Sequence, residues 1–326
     1  MSKPVPLVYL LAASHSGSTL LAFLLGGHPD VCTVGEIKAT ALGDPSRYRC
    51  SCGAEILHCA FWRRVSEEMS ARGRPFDVTR AGTDIRTGAT PYVHRLLKPL
   101  HRGPALELAR DAALWLSPAW RRALPGIQAA NATLARCLLD VTGKQVVVDS
   151  SKMGLRLKYL LRNPGFDVRV IRIIRDGRAV ALAYMDPAGF ADATDPRLRQ
   201  GGMGGDRANE RQTMPEAAHQ WRRSNEEAES IVRTLPRDRW TEVRYEDVCR
   251  DTEGTLRRLY AFAGVDPDRG GAKLRSFDHH VIGNGMRLDT TTEVRMDERW
   301  RTALQPADLS AFDAEAGALN RQLGYV

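Results

Sequence analysis

Apolar residues along the chain fall into short unbroken runs, each followed by a polar loop and then by helical spacing. Leu7-Val8-Tyr9-Leu10-Leu11 is continuous and ends in Ser14-His15-Ser16-Gly17-Ser18-Thr19. Leu20, Leu21, Phe23, Leu24 and Leu25 then recur on a helical period until Gly26-Gly27 and Pro29 stop it. This predicts a buried strand, a tight loop and a helix. A second unit runs from Gln145-Val146-Val147-Val148-Asp149 through Ser150-Ser151-Lys152 into a helix over about 155–162, broken by Asn163-Pro164-Gly165. Residues 168–174 predict a third strand, and Arg175-Asp176-Gly177-Arg178 leads into a helix reaching about Met185. Residues 241–245 predict a fourth strand, followed by a helix through Ala263. Strands alternating with helices imply an α/β fold, with a central, mostly parallel sheet covered by helices on both faces.

Two segments break this rhythm. Residues 92–140 read as largely helical, divided by Pro99, Pro104, Pro118 and Pro125. Residues 186–214 are rich in Gly, Pro, Asp and Arg, with Gly201-Gly202-Met203-Gly204-Gly205 at the centre, and predict a flexible loop or lid. The expectation is a single domain over 1–326, with a helical acceptor-site insertion near 92–140 and the flexible loop near 186–214. A length of 326 residues with 43% apolar and 26% charged residues is consistent with one such globular unit. The longest apolar run, residues 5–13, is too short to span a bilayer and lacks the flanks of a signal peptide. No membrane span and a cytoplasmic location are therefore expected.

Lys and Arg exceed Asp and Glu by 47 − 39 = 8. The basic residues form no block or tail, and aromatics are only 7%, which argues against a nucleic-acid platform. A site for a multiply charged small ligand fits the surplus better, although a solvated surface explains much of it. Cys50-Ser51-Cys52-Gly53 and His58-Cys59 gather three of the six cysteines. Zinc would need four ligands, and His58 would make up the number, but one residue between the first two cysteines is tight for a zinc knuckle. Thiols or one disulfide are the preferred reading, and no metal ligand is assigned.

The first loop carries the clearest chemistry. A strand running through a Ser/Gly loop into a helix aims free backbone N–H groups, and the positive end of the helix dipole, at one point. Gly17 lets the backbone approach an anion, while Ser16, Ser18 and Thr19 supply hydroxyl donors. A nucleoside-triphosphate P-loop would require G-x-x-x-x-G-K-[ST], and no Lys follows the Gly here. An ordinary Ser-capped helix is the plainer alternative from this loop alone.

At this point the chain resembles the family of sulfotransferases that use 3′-phosphoadenosine-5′-phosphosulfate (PAPS). Residues 7–25 look like the family's 5′-phosphosulfate loop, extended by His28-Pro29-Asp30-Val31 and Gly35-Glu36. This stretch, with the Cys-x-Cys-Gly…Cys-x-Phe-Trp element over 50–62, is similar to tyrosylprotein sulfotransferases and to bacterial members. Asp149-Ser150-Ser151-Lys152 matches the strand-end lysine, and residues 170–185 around Arg175-Asp176-Gly177-Arg178 resemble the 3′-phosphate motif. Tyr245-Glu246-Asp247 and Gly283-Asn284-Gly285-Met286-Arg287 complete the set.

The resemblance implies a P-loop-like sulfotransferase fold and transfer of a sulfuryl group from PAPS to a hydroxyl or amine acceptor, releasing 3′,5′-bisphosphate (PAP). The acceptor would be a small molecule, saccharide, peptide or lipid. Glu36 is implied as general base, with Lys152 and His15 stabilising the departing oxygen and His15 second in line as base. His15, Ser16, Gly17, Ser18, Thr19, Arg175, Arg178, Tyr245 and Arg287 are implied as cofactor ligands, and no catalytic metal is needed. Trp221 is a further aromatic for the adenine, though buried aromatics are more often core. His219, His279 and His280 read as surface or packing residues. Two positions depart from the family pattern: His15 stands where Lys or Arg is usual, and Ala183 where Ser is. The alternatives from other classes are a P-loop-type nucleotide kinase and a catalytically inactive PAPS-binding protein.

Overall fold

A computed structural model of the chain describes residues 3–38, 42, 45–46, 48–98, 103–187, 211–272, 274, 279–283, 285–288 and 292–326. The first apolar run forms β1 (Val5–Ala12), and the helical period after it forms α1 (Ser18–Leu25). A short strand β2 (Val31–Thr33) follows, then α2 (Ala60–Ala71), α3 (Pro91–Leu96), α4 (Pro104–Leu116) and α5 (Pro118–Thr142). The second unit gives β3 (Val146–Lys152) and α6 (Gly154–Leu161), and the third gives β4 (Phe166–Ile174) and α7 (Gly177–Met185). Next come α8 (Met214–Val232), β5 (Trp240–Arg244), α9 (Tyr245–Arg250) and α10 (Thr252–Ala263). The short helices α11 (Trp300–Ala303), α12 (Pro306–Phe312) and α13 (Ala318–Gln322) close the chain.

Among the described residues the strands make one five-stranded sheet, in the order β2-β3-β1-β4-β5, and every pairing is parallel. Side chains alternate across β1, so one strand feeds two cores. Leu7, Tyr9 and Leu11 join Leu134, Leu138, Leu157 and Ile231 on the face covered by α5, α6 and α8. Val8, Leu10 and Ala12 join Leu21, Leu24, Leu256 and Leu259 on the face covered by α1 and α10. Burial on both faces explains why these strands read as continuous apolar runs. The expected α/β architecture is the observed one.

The helical reading of 92–140 needs one correction. Pro104 and Pro118 each open a helix at its first turn, where a missing N–H costs nothing. Pro125, however, does not divide anything: α5 runs straight through it for 25 residues. Loss of one hydrogen bond near the start of a long, packed helix is tolerated because α5 buries Ile127, Leu134, Leu138 and Leu139 beyond it. Pro99 and most of the expected loop at 186–214, with its Gly201–205 centre, lie outside the described residues. No helix among the described residues is long and apolar enough to cross a membrane.

Candidate active site

In a parallel α/β sheet, ligands collect at the carboxyl ends of the strands, and the candidate residues lie there. After β1 the backbone turns through His15 (φ 63°) and Gly17 (φ 88°) into α1. Gly17 is required twice over: its φ is left-handed, and a Cβ would lie 2.5 Å from the Tyr245 ring. The Leu21 amide donates to the Gly17 carbonyl at 3.0 Å, so the N–H groups of the preceding turn are left to a ligand or solvent. Ser16 is 1% exposed, yet its Oγ has no hydrogen-bond partner. Ser18 is buried and Thr19 half-buried beside it.

The second group forms where β3 ends. Lys152, at φ 56°, donates from Nζ to Glu36 Oε1 at 2.5 Å, and Lys38 Nζ stands 3.5 Å from Glu36 Oε2. Burial pushes the Glu36 carboxyl up, but the charges and hydrogen bonds of Lys152 and Lys38 outweigh it and hold it below the ordinary value. Burial in turn lowers Lys38, only partly offset by Glu36. Among the described residues, His15 and Lys152 are the non-glycine residues with positive φ, and both flank this one edge of the sheet. Such backbone costs of order 1–3 kcal/mol each and persists where the surroundings over-determine it.

Those surroundings include residues that sequence reasoning missed. Asp149 is fully buried and accepts the amides of Ile37 (3.2 Å) and Ser151 (2.9 Å). Arg156 from α6 grips its other oxygen at 3.1 and 3.0 Å, and reaches Asn131 of α5 at 2.7 Å. The Asp149 carboxylate therefore ties the segment carrying Glu36 to the segment carrying Lys152. Its legible trace was an Asp closing an apolar run with an Arg seven residues on, in the first turn of the next helix.

Arg175 directly follows β4 and lies 5% exposed, its guanidinium 4.2 Å over the Tyr245 ring. It donates to the His15 carbonyl at 2.8 Å and to the Asp297 carbonyl and carboxylate at 2.9 and 3.1 Å, while its Nε has no partner. Burial pushes Asp297 up, but Arg299 and Arg175 outweigh it and hold the carboxyl down to about 2. The His15 ring meets Tyr184 edge-on at 5.1 Å.

The other two expected arginines stand elsewhere. Arg178 is paired with Asp176 (2.8 Å), stacked 4.2 Å over Trp300 and bonded to the Val326 carbonyl. Arg287 lies 4.0 Å over Tyr48 and donates to the carbonyls of Arg49 (2.8 Å) and Gly283 (2.9 Å). Both are bound into packing contacts that do not involve Arg175, because each finds an aromatic face and acceptors closer by. Trp221 is fully buried against Phe312 in the core under α7, which fits packing and not an adenine platform.

A cleft of about 850 Å³ opens beside Lys152, lined by Ser14, Tyr184, Gln212, Gln220 and Glu227 among others. Among the described residues, Lys98 is its only wall residue from 92–140, and α8 supplies more of the rest than any other element. Glu227 is 7% exposed with Oε1 unpartnered. Burial, then the charge of Glu107, pushes its carboxyl up to about 7. On the far side of Glu36, the Cys50, Cys52 and Cys59 sulfurs converge with a ring nitrogen of His280, not of His58. His58 is an exposed partner of Glu55, so the fourth member of this group is a residue that the sequence placed among surface or packing histidines.

Residues 115–269, which carry Lys152, Arg175 and Tyr245, match the Sulfotransferase family. The match takes in 155 of the 326 residues, a little under half of the chain. The chain is 29% identical over 191 residues to mouse (Mus musculus) carbohydrate sulfotransferase 5, covering 53% of this chain and 45% of that one. It is 27% identical over 212 residues to human carbohydrate sulfotransferase 6, covering 59% and 51%. The match thus spans about half the length of these curated relatives. The sulfotransferase domain of the Synechococcus PCC 7002 olefin synthase shares the fold, with TM-score 0.51, 20% identity, and coverage of 100% of this chain and 97% of that domain. The loop at 14–19, Glu36 and the cysteine group fall outside the matched family region, so their roles rest on geometry and chemistry.

Proposed function

We propose that the chain transfers a sulfuryl group from PAPS to a hydroxyl or amine acceptor and releases PAP. The observation that carries this reading is the pair of buried donors left unfilled at the loop, Ser16 Oγ and Arg175 Nε. Buried donors without partners are costly, and an anion seated between the loop and Arg175 would satisfy them. The loop amides and the Ser16 and Ser18 hydroxyls would hold the 5′-phosphosulfate, with Thr19 beside them. Arg175, braced on the Tyr245 ring and the His15 carbonyl, would grip the 3′-phosphate. Arg178 and Arg287 would act as supports, stiffening the motifs on either side.

Sulfuryl transfer parallels phosphoryl transfer, and its catalysis is mostly positioning and charge stabilisation. The sulfur–oxygen bond to the nucleotide breaks as a new one forms to the acceptor oxygen or nitrogen, whose proton passes to Glu36. Lys152 donates to the oxygen that departs. The two roles are coupled by the contact between them. When Lys152 turns to the nucleotide, Glu36 loses its strongest counter-charge and becomes a better base at that moment. His15 stands second to Lys152 at the departing oxygen and second to Glu36 as base.

The acceptor would enter the cleft beside Lys152. Its lining of Ser14, Gln212, Gln220, Ser224 and Glu227 offers many hydrogen-bonding groups, which suits a polyhydroxyl compound. Relatives named as carbohydrate sulfotransferases agree with a saccharide among the acceptor classes. The chain as a single domain, with the segment 92–140 contributing Lys98 to the acceptor wall, follows from the same reading.

Calorimetry tests the cofactor assignment. PAP should bind more tightly than AMP by about 2–4 kcal/mol, the worth of a charge-assisted bidentate contact. Equal affinities would remove the assignment of Arg175. Labelled PAPS with a panel of saccharides, phenols and lipid alcohols would then identify the acceptor class.

A further inference from the structure

The geometry points to a structural zinc site built by Cys50, Cys52, Cys59 and His280. Their four ligand atoms all lie within 4.8 Å of one another. Three of the separations match the edges of a tetrahedron around a metal. Zn–S bonds of about 2.3 Å and a Zn–N bond of about 2.05 Å require edges of about 3.8 Å between sulfurs and about 3.6 Å between sulfur and nitrogen. Cys52 Sγ and Cys59 Sγ are 3.7 Å apart. His280 Nδ1 is 3.5 Å from Cys59 Sγ and 3.7 Å from Cys50 Sγ. All six cysteines are free, so no disulfide accounts for the convergence.

The surroundings are those a thiolate site needs. The amides of Cys52 and Trp62 donate to the Cys50 and Cys59 sulfurs. Cys59 also caps the start of α2, where the helix dipole favours negative charge. Gly53, at φ 86°, makes the tight turn after Cys52, and its amide donates to the Cys50 carbonyl at 2.9 Å. Phe61 stacks flat on the His280 ring at 4.4 Å and fixes its plane. Three thiolates and an imidazole select zinc over harder cations, and four protein ligands leave no open position for substrate. The spacing that looked too tight for a knuckle is accommodated because the fourth ligand comes from a distant segment.

The site's work is mechanical. It joins the loop at 48–59 to the segment 279–283, which also meets at Ser51 Oγ with the Val281 amide (2.7 Å) and at Tyr48 Oη with the Gly283 amide (2.7 Å). Ile282 of that segment bridges to Gly35, and Gly283 lies against Glu36, where a Cβ would stand 3.2 Å from Glu36 Cγ. The metal would hold the wall behind Glu36. It is distinct from the sulfuryl-transfer chemistry and needs no support from it.

The test is metal content in the full chain, purified with reductant and without chelator. About one equivalent of zinc per chain is expected, and cobalt exchange should give the visible d–d and thiolate charge-transfer bands of a tetrahedral thiolate site. Cys52→Ser and His280→Ala should lose metal at least about tenfold, whereas His58→Ala should retain it. Wild-type protein that holds no zinc or cobalt after incubation with either, its thiols reduced, would overturn the site. So would loss of metal in His58→Ala with retention in His280→Ala. If the ligand variants do not fold, the wild type decides. A melting temperature lowered by chelator and restored by zinc supports the site, and one indifferent to both overturns it.

Discussion

Glu36 and Lys152 hold each other in a direct ion pair, and that contact gives their variants distinguishable signatures. Glu36→Gln keeps shape but cannot take a proton, so turnover should fall at least about a hundredfold while PAP affinity barely moves. Lys152→Ala should cost a similar factor through the departing oxygen. Because Glu36 is held below its ordinary value, the acid limb of kcat/KM in the wild type should lie below the usual glutamate range. Removing Lys152 takes away the largest opposing charge, so that limb should move upward in pH in the residual activity of Lys152→Ala. A limb that stays put would detach Glu36 from the proton transfer and make His15 the better base. Asp297 offers a second test: its carboxylate competes for the Arg175 fork. Asp297→Asn should tighten PAP about tenfold by removing a negative charge beside an incoming phosphate, as read by calorimetry. Weaker binding would mean that Asp297 orients Arg175 and does not compete for it.

At the scale of elements, α8 carries the least expected group. It packs Glu227 over α6, where a Cβ on Gly154 would lie 2.8 Å from the Glu227 carboxyl carbon. With the folded value raised from 4.5 to about 7, the fold favours the protonated acid. Stability is therefore full below the unfolded value and is lost as pH rises through the window from 4.5 to about 7. The loss is of order 3 kcal/mol at most, at about 1.4 kcal/mol per pH unit. Glu227→Gln should match the wild type in thermal melts near the acid end and exceed it in mildly alkaline buffer. A parallel pH dependence in both proteins would count against the buried acid. None of this was visible in the sequence, where Glu227 is one of several charged residues between Thr213 and Arg233. Elements whose burial is two-sided were legible: β1 and β3 announced themselves by unbroken apolar runs, and β4 by an apolar run interrupted at Arg169 and Arg172. The three-residue β2 and the passage of α5 through Pro125 were not, because pairing with β3 and packing beyond the proline decide them.

Across the whole molecule, the order β2-β3-β1-β4-β5 gathers loops from distant parts of the chain at one edge. Motif order along the sequence was enough to propose Gly17, Lys152 and Arg175, since each lies at or shortly after the end of its own strand. Contacts between segments were not legible in this way. Nothing local to Arg287 indicated that Tyr48 would take its guanidinium, and nothing near Cys59 indicated that its partner histidine lies at 280 and not at 58. The family match covers residues 115–269, and so leaves the two segments that meet behind Glu36 to be read from their packing alone.

That meeting has a kinetic consequence. The bonds of Tyr48 with Gly283 and of Ser51 with Val281 close loops of 235 and 230 residues. Contacts so remote in sequence form late, since the entropy of closing the loop must be met before they contribute anything. The sheet and its phosphate loop can assemble from short-range units while the wall behind Glu36 is still missing. During refolding, nucleotide affinity should therefore return before turnover does, and the interval between the two would time the arrival of residues 279–283.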